Sequence, residues 1–139
     1  MLPIQMLGQS VSVTAHGAGD ASPMPVSRLA NGEAMRPLSP AQLSAKLNAD
    51  GSLDVQWIRR SRLAFGWRDE VEAPVDGEVQ GYRVSIAGAA GAIERDTDGS
   101  NLTVGAAEIA ALGTGPFIIS VRQIGALALS RPATITINP

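Results

Sequence analysis

The chain has 139 residues, 45% of them hydrophobic and 17% charged, which is enough apolar material for one ordered core in a chain near the size of a single domain. Its 13 acidic and 11 basic residues leave a formal net charge of -2, so no basic excess draws it to a phosphate backbone and a nucleic-acid partner is not expected. Cysteine is absent and His16 is the single histidine, which excludes a disulfide scaffold, thiolate metal sites, iron–sulfur clusters, cysteine nucleophiles and a multi-histidine centre; the sequence implies neither metal nor cofactor.

The opening stretch Met1–Leu7 is apolar, but the first basic residue is Arg28, so a secretory signal, which needs charge before the apolar run, is not expected. Nor does any window approach the roughly 20 apolar residues of a membrane span; the alanine-rich run Val104–Leu112 is broken by Glu108. Leu2, Ile4 and Met6 alternate, Gly8 interrupts, and Val11 and Val13 alternate again, a pattern that suggests a hairpin. Gly17–Pro25 carries several breakers and no periodicity and reads as a loop. A short strand is expected over Val26–Leu29, followed by the turn signal Asn31-Gly32. Residues 1–36 are thus expected to be an N-terminal β segment and linker, with a separate domain over 37–139.

From Leu38 the pattern becomes regular. Leu38, Ala41, Leu43, Ala45 and Leu47 suggest a first strand, with Pro40 where an edge strand tolerates it. Asp50-Gly51 supplies a tight turn. Leu53, Val55 and Trp57 then alternate with Asp54, Gln56 and Ile58, the signature of a strand with one buried face. Arg59–Gln80 reads as a long polar connection. Tyr82, Val84 and Ile86 mark the next strand, followed by a short strand near Ile93 and another at Leu102 and Val104. Ala106–Leu112 favours one helical turn, stopped by Gly113 and Gly115. Phe117, Ile119 and Val121 alternate in the next strand, and Ile135 and Ile137 in the last.

About seven short strands with turn signals between them predict an all-β fold, a two-sheet sandwich of immunoglobulin or fibronectin type III kind. A doubly wound α/β fold would need a helix between successive strands, and only Ala106–Leu112 comes close. The expected core is the period-2 set Leu43, Leu53, Val55, Trp57, Tyr82, Val84, Ile86, Leu102, Val104, Phe117, Ile119, Val121, Ile135 and Ile137. Trp57 is its largest member, and Tyr82 can bury its ring while its hydroxyl reaches the rim.

Three segments carry a family resemblance: Gly32-Glu33-Ala34-Met35-Arg36-Pro37-Leu38-Ser39-Pro40, Gly51-Ser52-Leu53-Asp54-Val55-Gln56-Trp57-Ile58-Arg59-Arg60-Ser61-Arg62, and Gly81-Tyr82-Arg83-Val84. Over roughly residues 32–137 the chain resembles the C-terminal, fibronectin type III-like region of large tail-tip proteins of siphophages and of gene transfer agents. These are the host-specificity or "megatron" hubs with a TIM-barrel-like domain. Two departures from a generic fibronectin module stand out. Phe117 occupies the position where such domains usually place the tyrosine of the corner hydrogen bond, and the 59–80 connection is long.

The resemblance implies a structural, non-enzymatic component of a tail tip or baseplate, made in the bacterial cytoplasm and located in the virion. Its implied partners are other tail-tip and baseplate proteins, assembled around a three-fold axis as a homotrimer, and a host surface glycan or receptor. The alternative is a carbohydrate- or receptor-binding module that uses the 59–80 loop. An enzyme is the third reading, and no acid–base pair stands in a recognisable setting to support it.

Arg59, Arg60, Arg62 and Arg68 form a basic cluster followed by Asp69, Glu70, Glu72, Asp76 and Glu78. The pattern favours a solvated loop whose opposite charges pair at small gain over a contact surface for an anionic glycan or a neighbouring subunit, although arginine is common at subunit contacts. Phe65 and Trp67 flank Gly66 in the same loop. Two large aromatics there plug the open edge of the sandwich, meet a partner, or stack on a sugar, in that order. His16 reads as a surface residue. Asp96, Asp98 and Asn101 lack the glycine and glutamate positions of a calcium loop, and Asn101-Leu102-Thr103 is a sequon without a secretory context. Because the core is expected to close around one indole, Trp57→Ala should lower unfolding free energy by about 3–5 kcal/mol in a denaturant titration. A variant with unchanged stability would rule out that core.

Overall fold

A computed structural model describes residues 4–19, 22, 24–62 and 79–139. The chain divides into two compact units, Met1–Met35 and Arg36–Pro139.

In the first unit, strands β1 (Ser10–Ala15) and β2 (Met24–Leu29) form an antiparallel ribbon with Val13 opposite Val26 and Val11 opposite Arg28. The sequence suggested that Leu2, Ile4 and Met6 would form a hairpin with Val11 and Val13. Ile4–Met6 is instead a single 3₁₀ turn; Leu2 lies outside the described residues. The strand carrying Val11 and Val13 pairs with the one carrying Val26. Gly8 adopts a φ of 80°, a left-handed conformation that glycine reaches without steric penalty, and its N–H donates to the Ala30 carbonyl at 2.9 Å. A three-residue alternation cannot distinguish a strand from a turn, and the backbone of Ala30 provides the pairing that decides it.

The second unit is a β-sandwich. Among the described residues its strands are β3 (Ala41–Leu47), β4 (Leu53–Ile58), β5 (Val79–Gly88), β6 (Gly91–Thr97), β7 (Asn101–Val104), β8 (Phe117–Gly125) and β9 (Ala133–Ile137), joined by a short helix, α1 (Ala106–Ala111). The three-stranded sheet runs β3-β4-β7 and the four-stranded sheet β6-β5-β8-β9. All described pairings in both sheets are antiparallel. Pro40 precedes the first paired residue of β3, an edge strand, so its missing N–H interrupts no ladder. Gly51, at φ 84°, closes the β3–β4 turn by donating to the Asn48 carbonyl, while the Asp50 carboxylate accepts from the Ser52 N–H and hydroxyl.

Period-2 alternation fills the space between the sheets. Leu53, Val55 and Trp57 of β4 face Tyr82, Val84 and Ile86 of β5 and Phe117, Ile119 and Val121 of β8 across one core. Leu43, Leu102, Ile135 and Ile137 are partly buried against it. Two members escaped the strand pattern: Ile109 and Leu112 come from α1 and the residue after it, and are each 4% exposed. The helix end is held down closely. The Leu112 carbonyl accepts from the Ala90 N–H at 2.9 Å, and a Cβ at Gly88 would sit 2.5 Å from that carbonyl oxygen. Only glycine fits there.

Outside the core, three carboxylates are stabilised in their charged form. Asp54 is held below its ordinary pKa mainly by a hydrogen bond from the Asn48 amide, then by one from the Thr103 hydroxyl. Asp96 is lowered mainly by its hydrogen bonds from Arg83, and Asp50 by those from Ser52. A depressed folded-state pKa contributes stability above the unfolded value, about 3.9, that is lost as pH falls through the folded value. The melting temperature should therefore stay flat from neutral to about pH 5 and fall below about pH 4. In Asp54→Asn, thermal melts across this range should show a smaller acid-side drop.

Candidate functional site

Of the sequence-derived candidates, Trp57, Tyr82, Arg59 and Arg60 meet at the root of the 59–80 connection, where β4 ends and β5 begins. Trp57, 4% exposed, is the last inward-facing residue of β4, and Tyr82, 1% exposed, is the matching inward residue of β5. Their rings meet edge-on, with centroids 5.2 Å apart and planes inclined by 60°, a favoured geometry because a ring's positive edge meets the other's negative face. This contact joins the two sheets and leaves the Tyr82 hydroxyl at the margin, where it accepts a hydrogen bond from Arg59 Nε at 3.0 Å.

Gln123 completes this end. It stands directly opposite Tyr82 in the β5–β8 pairing and is fully buried. Its Oε1 accepts from the Arg60 backbone N–H at 3.4 Å. Its own backbone N–H donates to the Ser130 hydroxyl, which donates in turn to the Arg131 carbonyl. Two buried donors here, Gln123 Nε2 and Trp57 Nε1, have no acceptor among the described residues. The Arg62 guanidinium hydrogen-bonds the Arg36 carbonyl, and Arg36 reaches the Leu129 carbonyl at 3.3 Å.

The arginine cluster thus has unequal members. Arg59 is half-buried and tied to the core through Tyr82, whereas Arg60 and Arg62 present exposed side chains. Phe65, Trp67 and Arg68 lie outside the described residues. Phe117, 3% exposed, belongs to the other end of the sandwich, against Gly88. Tyr82 and Gly88 are six residues apart on β5, about 20 Å at the usual strand rise, so Phe117 shares the core with Trp57 but not this site. Sequence reasoning missed Gln123. The signal was present, since the alternation Phe117, Ile119, Val121 continues inward to Gln123, but its polarity ended the reading one step early.

Chemically the cluster can present fixed cations and hydrogen-bond donors. Among the described residues no group of three His, Cys, Asp or Glu side chains is placed to hold a metal ion, and no helix is long and apolar enough to cross a membrane. His16 is exposed beyond the end of β1. Asp96 is engaged by the Arg83 guanidinium through two hydrogen bonds of 2.9 Å.

No family model matches the chain, and no curated protein matches it. Solved structures do. The chain is similar to chicken CNTN1 domains FN1–FN3, with a TM-score of 0.53, 16% identity, and coverage of 73% of this chain and 30% of that one. It is similar to the rat CD45 extracellular domains d3–d4, with a TM-score of 0.53, 10% identity, and coverage of 100% of this chain and 68% of the other. It is also similar to the Clostridium perfringens spore cortex lytic enzyme SleM, at a TM-score of 0.51 and 12% identity, over 74% of this chain and 28% of SleM. The chain thus spans less than a third of the CNTN1 and SleM structures it matches. At these identities the likeness shows the fold alone: an all-β, fibronectin type III-like sandwich.

Because the buried Gln123 amide nitrogen has no acceptor among the described residues while its Oε1 holds only a long 3.4 Å bond from the Arg60 N–H, Gln123→Met should trade one against the other and change stability by no more than about 1 kcal/mol. Gln123→Glu, which buries a carboxylate at the same place, should lose about 2 kcal/mol or more. Chemical denaturation of both variants checks the pair.

Proposed function

We propose that the chain is a structural, non-enzymatic module of a phage or gene transfer agent tail tip or baseplate, acting by protein–protein packing. The observation that carries this reading is how the root of the 59–80 connection is anchored. Tyr82 and Gln123, both within the core, bond Arg59 and Arg60, so the start of a long, charge-rich connection is held by a rigid body. Among the described residues this cluster offers guanidiniums, an amide and one phenol, and that phenol is buried in the core and bonded to Arg59, an arrangement suited to holding a segment in place. The resemblance of residues 32–62 and 81–84 to tail-tip hub proteins supplies the setting: a virion, other tail proteins as partners, and assembly about a three-fold axis. Arginine suits such contacts because its planar fork binds carboxylates and backbone carbonyls in a defined direction.

The test is incorporation. A tagged copy expressed in a host producing the particles should co-purify with assembled tails, and Arg60→Glu with Arg62→Glu should reduce that incorporation about tenfold or more while the isolated chain still melts as the parent does. A parent chain absent from particles would overturn the proposal. Binding of the isolated chain to host cell walls, lost in Trp67→Ala while incorporation persists, would move the 59–80 loop to the receptor-binding reading.

A further inference from the structure

The outer face of the four-stranded sheet carries a second feature, independent of the tail-tip reading. A cleft of about 330 Å³ opens there, lined by Arg83, Ser85, Glu94, Ser120, Arg122 and Leu129. The register explains why these residues meet. Asp96, Arg83 and Arg122 lie side by side across β6, β5 and β8, and Glu94, Ser85 and Ser120 form the next row on the same face.

Two arginines directly opposite one another repel, and a sheet normally avoids such a pair. Arg83 is compensated: it binds both Asp96 oxygens at 2.9 Å and lies 3.4 Å from Glu94. Arg122 is not. It is half-buried, and among the described residues no carboxylate or carbonyl is bonded to it. Ser85 and Ser120, directly opposite one another, are likewise half-buried and make no side-chain hydrogen bond among the described residues. One uncompensated guanidinium, two hydroxyls, a carboxylate wall and an apolar side chain therefore converge on one cleft.

We infer that this cleft is a binding site for a sugar acid, a hydroxylated ring bearing one carboxylate. Arg122 pairs with the carboxylate as planar forks do. Ser85 and Ser120 exchange hydrogen bonds with ring hydroxyls, Glu94 accepts from another, and Leu129 packs on the ring's C–H face. Glu94 also sets the charge limit. A dianion such as phosphate would face that carboxylate with only Arg122 uncompensated, so a monoanion with hydroxyl donors fits better. The cleft volume is at the lower end for small-ligand sites, suited to one sugar unit and to an affinity on the order of 1 mM.

Amide NMR of the full 139-residue chain titrated with sodium glucuronate tests this, with glucose and inorganic phosphate as parallel probes. Glucuronate should give saturable shifts at Ser85, Ser120 and Arg122, while glucose and phosphate bind about tenfold more weakly or not at all. Arg122→Gln should lose about tenfold or more in glucuronate affinity without a change in melting temperature, and Ser85→Ala with Ser120→Ala about two- to fivefold. Absence of saturable shifts at about 50 mM glucuronate, a fiftyfold excess over the expected dissociation constant, would overturn the site. Phosphate binding as tightly as glucuronate would overturn the ligand class, and an unaffected Arg122→Gln would overturn the role of its guanidinium.

Discussion

The edge-on contact between Trp57 and Tyr82 is the constraint on which the rest of the sandwich depends. Each sheet has one apolar face, and neither face is stable in water alone. Trp57 of β4 and Tyr82 of β5 are the bulkiest inward residues near one end of the two sheets, and their meeting brings the sheets into register there. The buried Tyr82 hydroxyl accepts a hydrogen bond from Arg59, which meets part of the cost of taking a phenol out of water. The same contact that closes the core therefore also fixes the start of the 59–80 connection.

The two ends of the sandwich are closed by different physics. At the α1 end the seal is steric: Gly88, Leu112 and Phe117 approach so closely that no side chain fits at position 88. At the Trp57 end the seal is polar, built from Gln123, Ser130 and backbone groups of Arg60 and Arg131. A steric seal depends on close packing, whereas a polar one depends on each donor meeting its acceptor. The outer faces differ in the same spirit. The three-stranded sheet shows an Asp54–Asn48–Thr103 cluster that is satisfied internally, and the four-stranded sheet shows an arginine pair of which, among the described residues, only Arg83 is paired.

Much of the fold was legible in the chain. Strands β3 to β9 and the single helix follow from alternation and from turn residues, because a sheet with one wet face must repeat every second residue and a tight turn needs Asp-Gly or its equivalents. The inward set was legible for the same reason. The N-terminal ribbon was less so, since Val11 and Val13 could pair with either neighbour, and it is the folded ladder from Ser10 opposite Leu29 to Ala15 opposite Met24, extended by the bonds to Ala30, that joins them to the strand carrying Val26. Of the candidate site, Trp57, Tyr82 and Arg59 were visible as residue types, but their mutual bonding was not.

What the amino-acid order determined by itself was local: which side chains face inward, where the chain turns, and the absence of thiol chemistry or a multi-histidine centre. Only the tertiary structure decided that Gln123 bonds the Arg60 backbone, that Ile109 and Leu112 join the core, and that Arg83 and Arg122 stand side by side although 39 positions separate them in the chain. The reason is physical. Facing is set by backbone geometry within a few residues, whereas adjacency across a sheet is set by strand order and register, which depend on how the whole chain closes around its core.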